Sequence, residues 1–122
     1  MIEFGRKTRQ RNLEELPPLS ETPDYEVLRG KPRAFMRLDQ GETDSKTRLG
    51  VWRCTTGAFR CTEKGDELQL ITQGQLRIER LDGSSSVFEA GDAFYTHKGE
   101  VLLWDVLQDV EKVFFTYDRD GC

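Results

Sequence analysis

Residues 50–78 read GVWRCTTGAFRCTEKGDELQLITQGQLRI, and the fold turns on how they are read. Leu76-Arg77-Ile78-Glu79 alternates apolar and polar with the period of two that a half-buried strand requires. Gly65-Asp66 is a turn signal. One carboxylate, Glu67, is followed after six strand-like residues by Gly74. Cys61, Glu63 and Glu67 share odd parity, so an uninterrupted strand puts all three on one face. The Gly65-Asp66 turn is the place where that parity can change.

The same character extends outward from this stretch. Turn signals recur at 30–32, 40–45, 82–86, 91–92 and 98–100. Residues 101–106 and 113–117 read as two further strands. No segment carries a helical stripe over three turns, so the expectation is an all-β sandwich or barrel. Residues 1–24 differ. A basic cluster (Arg6, Lys7, Arg9, Arg11) precedes acidic residues broken by Pro17, Pro18 and Pro23. Paired prolines resist both helix and central strand. This segment reads as an arm, draped over the domain or mobile, with residues 25–122 as the domain proper.

Composition narrows the function classes. The chain has 122 residues, enough for one core, with 36% hydrophobic and 33% charged residues, which is polar but not depleted enough for wholesale disorder. A formal charge of −4 argues against nucleic acid as the main partner. No apolar run approaches the roughly 20 residues that span a membrane, and no secretory pattern opens the chain. Cys54, Cys61 and Cys122 are odd in number and form no CxxC, so a reduced, cytoplasmic protein is expected.

Residues 25–117 resemble a cupin, the RmlC-like double-stranded β-helix or jelly-roll barrel. The first cupin motif is similar to residues 61–74, with Glu67 at its glutamate and Gly74 at its closing glycine. The second is similar to residues 91–102, beginning GDAFYTHKG. The wording GVWRCTTGAF, Trp104 and EKVFF resembles the small single-domain cupins grouped with ethanolamine-utilisation cupins and with (S)-ureidoglycine aminohydrolase-like cupins. Metal-binding cupins carry three histidines beside the glutamate. By the resemblance those places hold Cys61, Glu63 and Leu102. The chain has one histidine, His97, so a three-histidine centre is excluded by counting. Cys61, Glu63 and Glu67 are the residual metal candidates. One soft and two hard donors suit no common metal well, so no cofactor is expected. Cys61 then reads as a small buried hydrophobe and Glu63 as a solvated residue near the turn.

The resemblance also implies that Glu67 points into the barrel, where a carboxylate needs a cation, hydrogen bonds or a proton. Lys112, in VEKVFF, is the expected partner, with Arg53, Arg60 and Arg77 as alternatives. Trp104, Phe59, Tyr95 and Trp52 are expected as apolar walls, with Cys61 and Leu102 beside them. Glu67 and Lys112 are also the catalytic candidates, although a mutual pair that keeps both charges favours binding over acid–base work. His97 reads as a surface residue of a turn at the barrel mouth. Three functions follow: binding of a small anionic or amide-bearing metabolite, an aminohydrolase-like enzyme, or an accessory protein with a vestigial pocket. Leu68, Leu70 and Val113 alternate against the inward set and are expected to form an apolar outer face covered by a second subunit, to which the arm could cross.

Overall fold

The computed structural model describes residues 1–121; Cys122, counted among the thiols above, lies outside them. The elements are helix α1 (Arg6–Arg9), strand β1 (Glu14–Glu15), a 3₁₀ turn (Leu19–Glu21), and strands β2 (Tyr25–Arg29), β3 (Ala34–Gln40), β4 (Thr47–Cys54), β5 (Gly57–Thr62), β6 (Asp66–Glu79), β7 (Ser85–Glu89), β8 (Ala93–Thr96) and β9 (Val101–Tyr117). No helix among the described residues is long and apolar enough to cross a membrane.

All strand pairs are antiparallel, and β9 is the spine of the sheet. Along one edge its first half pairs with β5 (Leu102 opposite Cys61) and its second half with β4 (Lys112 opposite Trp52). Along the other edge it pairs with β6 from Leu103–Glu79 to Tyr117–Asp66. Residues 101–106 and 113–117, expected as separate strands, are thus one strand of 17 residues. The run between them stays extended because β6 pairs along its other edge at Gln108 and Glu111 and β4 takes over from β5 at Val110, so ladder hydrogen bonding outweighs weak local propensity.

The sheet curls where β6 and β9 shift register between Ile71 and Leu76. Gly74 takes φ +84°, and a Cβ there would lie 2.1 Å from the Asp109 carbonyl oxygen. Only glycine permits both the left-handed backbone and that approach. The bulge also reverses parity in β6: Gln69 and Ile71 face inward before it, Leu76 and Ile78 after it. The glycine that closes the first motif is therefore the hinge that turns a flat ladder into a barrel.

The N-terminal segment lies on its own barrel. Arg9 Nε donates to Glu111 Oε1 at 2.6 Å, and Glu111 is fully buried on the outer face of β9. Arg37 on β3 donates to the carbonyls of Thr8 (2.7 Å) and Arg11. β1 pairs with β3, and Leu19 joins the main core at 4% exposure. The basic cluster thus splits: Arg9 neutralises a buried carboxylate, while Arg6, Lys7 and Arg11 remain exposed.

Candidate functional site

A cavity of about 330 Å³ opens into one end of the barrel. Tyr25, Trp52, Phe59, Trp104 and Phe114 form its aromatic wall. Phe59 stacks on Trp104 with centroids 5.9 Å apart, and Trp52 meets Trp104 edge-on at 5.7 Å. Residues of the arm, among them Leu16, Pro17 and Pro23, complete the lining. Three faces meet here because β4, β5 and β9 lie side by side and each presents alternate residues inward.

Lys112 stands in the cavity wall at 6% exposure. Its ammonium donates to Glu67 Oε2 at 2.7 Å and to Gln69 Oε1 at 2.6 Å. It also lies 4.7 Å from the Trp52 ring, 4.8 Å from Trp104 and 5.7 Å from Phe114, distances at which a ring quadrupole attracts a cation. The second Glu67 oxygen accepts from Thr116 Oγ1 at 2.9 Å, and Gln69 Nε2 donates to Thr96 Oγ1 at 3.0 Å. Two ionised groups are thereby taken out of water with their hydrogen-bonding capacity largely used, which is what burial of a pair demands.

Glu63 lines the same cavity and has no such partner. Among the described residues its carboxylate accepts only a long bond from the Cys61 thiol, Sγ to Oε1 at 3.8 Å. Burial, then the nearby Glu67 charge, raises its pKa from the ordinary carboxylate range to about 7, against the opposing pull of Lys112. Burial likewise pushes the Cys61 thiol far above its ordinary value, and the Cys54 thiol up to about 12. Trp104 Nε1 and Arg48 Nε have no hydrogen-bond partner among the described residues, but both atoms are enclosed, with no surface open to an entering molecule.

The fold agrees with comparisons to known proteins. A family model for the EutQ-like cupin domain matches residues 41–114, which include Glu67 and Lys112. The chain belongs to the EutQ-like cupins. The barrel is similar to the EutQ protein of Clostridium difficile (18% identity, 73% of this chain and 71% of the other, TM-score 0.62). It is also similar to a DUF861-family protein of unknown function from Pseudomonas syringae (23%, 88% and 45%, TM-score 0.74) and to another DUF861 protein from Thermotoga maritima (26%, 57% and 78%, TM-score 0.55). No curated protein sequence matches.

Within this EutQ-like cupin, Cys61, Glu63 and Glu67 do line one cavity, so the bend at Gly65 preserves their common face. They do not fit a metal. No group of three or more His, Cys, Asp or Glu among the described residues is arranged to hold one. Cys61 is held as the thiol rather than the ligating thiolate, and the Lys112 ammonium sits on Glu67. Glu63 is a cavity residue rather than a solvated one, because the chain bends inward after β5 and Glu63 bonds through its backbone to Gly99 and Glu100. Tyr95 is not part of the wall: it is 50% exposed on the outer face of β8, since its neighbour Thr96 takes the inward position. Leu102 is buried behind Cys61 and stays clear of the cavity surface. Arg60 and Arg77 point outward, Arg60 pairing with Glu26 at 3.2 Å, and Arg53 borders a separate cleft under the arm. His97 is exposed and contacts Glu100, Nδ1 to Oε1 at 3.2 Å.

Two measurements test the site. Lys112→Met and Glu67→Gln each strand a buried charge, so each is expected to cost about 3–5 kcal/mol. The double variant should be more stable than their sum, with a coupling energy well above about 0.5 kcal/mol in a urea double-mutant cycle. Glu63 sets a pH dependence of opposite sign to an ordinary paired carboxylate. Its folded pKa is raised, so the folded state holds more protons than the unfolded state between the ordinary carboxylate range and pH 7, and stability falls as pH rises through that window. Glu63→Gln removes the penalty. It should exceed the wild type in urea midpoint at pH 8, with the gap closing by pH 4.

Proposed function

We propose that this EutQ-like cupin binds a small metabolite in the barrel cavity, without the histidine metal centre of other cupins. The observation that carries the reading is the cavity itself: an aromatic concave wall with few convergent polar groups, the usual form of a small-molecule site. Of the two ligand classes expected from the sequence, the anionic one loses its main support. Lys112 is already committed to Glu67 and Gln69, so an anion is disfavoured. Glu67 and Lys112 then form the floor of the site, and Cys61, Phe59 and Trp104 its sides.

A second reading is catalysis of aminohydrolase-like or related type. Glu63 favours it, because a partly buried carboxyl titrating near neutrality suits general acid–base work. The cytoplasm is proposed as the compartment on the strength of the free buried thiols Cys54 and Cys61.

We further propose a homodimer. On the outer face Leu68 lies opposite both Tyr95 and Phe115, and Leu70 opposite Val113. Leu68, Tyr95 and Phe115 are each 42–51% exposed, a contiguous apolar band of the kind that marks an interface. The arm packs on its own barrel and is not required to cross.

A thermal-shift screen of small metabolites should yield compounds that raise the melting temperature, and the shift should vanish in Cys61→Phe, which fills the cavity. A silent screen would leave the pocket vestigial, and a hit consumed on incubation but spared in Glu63→Gln would select catalysis. Light scattering at micromolar concentration should give twice the 14.1 kDa chain mass, and Leu68→Glu should shift it to the monomer.

A further inference from the structure

We propose that the cavity recognises a small organic amine, its ammonium group paired with the Glu63 carboxylate and its apolar body against the aromatic wall. This rests on the reading of the cavity as a ligand site and names the class of ligand.

Among the described residues, the Glu63 carboxylate in the cavity has no cation partner. Lys112 meets two acceptors and three aromatic rings. Glu67 receives Lys112 and Thr116. Among the described residues Glu63 has only the Cys61 thiol at 3.8 Å. The remaining cations in the lining are Arg48 and Lys64. Arg48 Nη1 donates to the Thr43 carbonyl at 3.3 Å, and Lys64 is exposed, where an ion pair contributes little. An anion would also approach Glu21, Glu63 and Glu67 together. An ammonium group meets the opposite situation, because it supplies the charge that Glu63 lacks and is attracted by aromatic faces. The protein already demonstrates the second point: the same rings surround the Lys112 ammonium.

The wall also sets the rest of the ligand. Tyr25 pairs with Cys61 across β2 and β5, and Phe59 stands two residues before Cys61 on the same face. Their rings lie 5.6 Å apart, and both line the cavity that Glu63 lines. A flat apolar body one bond from the nitrogen matches that arrangement, whereas a fully polar amine would leave the aromatic surface uncovered.

Isothermal titration with benzylamine, benzamide and benzoate, at pH 8 so that Glu63 is ionised, separates the possibilities. Benzylamine should bind at least tenfold more tightly than the other two. Glu63→Gln should weaken benzylamine at least tenfold and leave benzamide within about twofold, which also verifies that the variant's cavity is folded. Equal benzylamine affinity in wild type and Glu63→Gln would overturn the proposal. Preference for benzamide or benzoate would overturn it too while leaving the cavity as a binding site. No binding of any of the three would overturn the amine assignment, and a silent metabolite screen alongside would remove the ligand site with it.

Discussion

The interaction on which the interior depends is the burial of the Lys112 ammonium. A lone ammonium in a barrel core would lose its proton or open the fold. Here it is held by the carboxylate of Glu67, the amide oxygen of Gln69 and the faces of two tryptophans and a phenylalanine. Those groups come from β4, β6 and β9, so one cation ties together the three strands that curl the sheet. Thr116 and Thr96 complete the network at its edges. A buried pair of this kind adds little net stability against an apolar replacement, but it specifies register. A one-residue slip of β9 against β6 would turn Lys112 to the outside and leave Glu67 uncompensated.

The same network determines what the cavity can do. By consuming the Lys112 charge, it removes the group that would have attracted an anion. By taking both oxygens of Glu67, it removes the most plausible metal ligand. The aromatic wall and the carboxyl of Glu63 remain in the lining, with residues of the arm, Arg48 and Lys64 beside them. Glu63 stands four residues before the motif glutamate, on the loop between β5 and β6. A second buried carboxylate, Glu111, is handled separately: it lies on the other face of β9 and is met by Arg9 and by the Thr72 hydroxyl at 2.8 Å. The arm is therefore tied to the barrel by the need to neutralise that charge, and its continuation through Leu19 supplies part of the cavity lining.

Residue identity and spacing alone determined a good deal. Period-two patterning and frequent turn signals imposed an all-β fold, and a single histidine ruled out a three-histidine metal centre by counting. The resemblance marked Gly74 only as the closing glycine of the motif; the register of β6 against β9 made it the bulge. Glu67 and Lys112 were legible as partners through the resemblance to the small cupins, which implies an inward glutamate at Glu67, where a carboxylate needs a cation, and a lysine at the place of Lys112. Other features depended on contacts between segments distant in sequence. That 101–117 is one strand follows from β4, β5 and β6 occupying its two edges, which no local propensity encodes. Tyr95 and Thr96 compete for one inward position, and only the register with β6 decides between them. Glu63 has the sequence surroundings of a solvated turn residue; the tertiary structure makes it a cavity group, because the loop that carries it is fastened to residues 99 and 100 and burial there raises the cost of its charge.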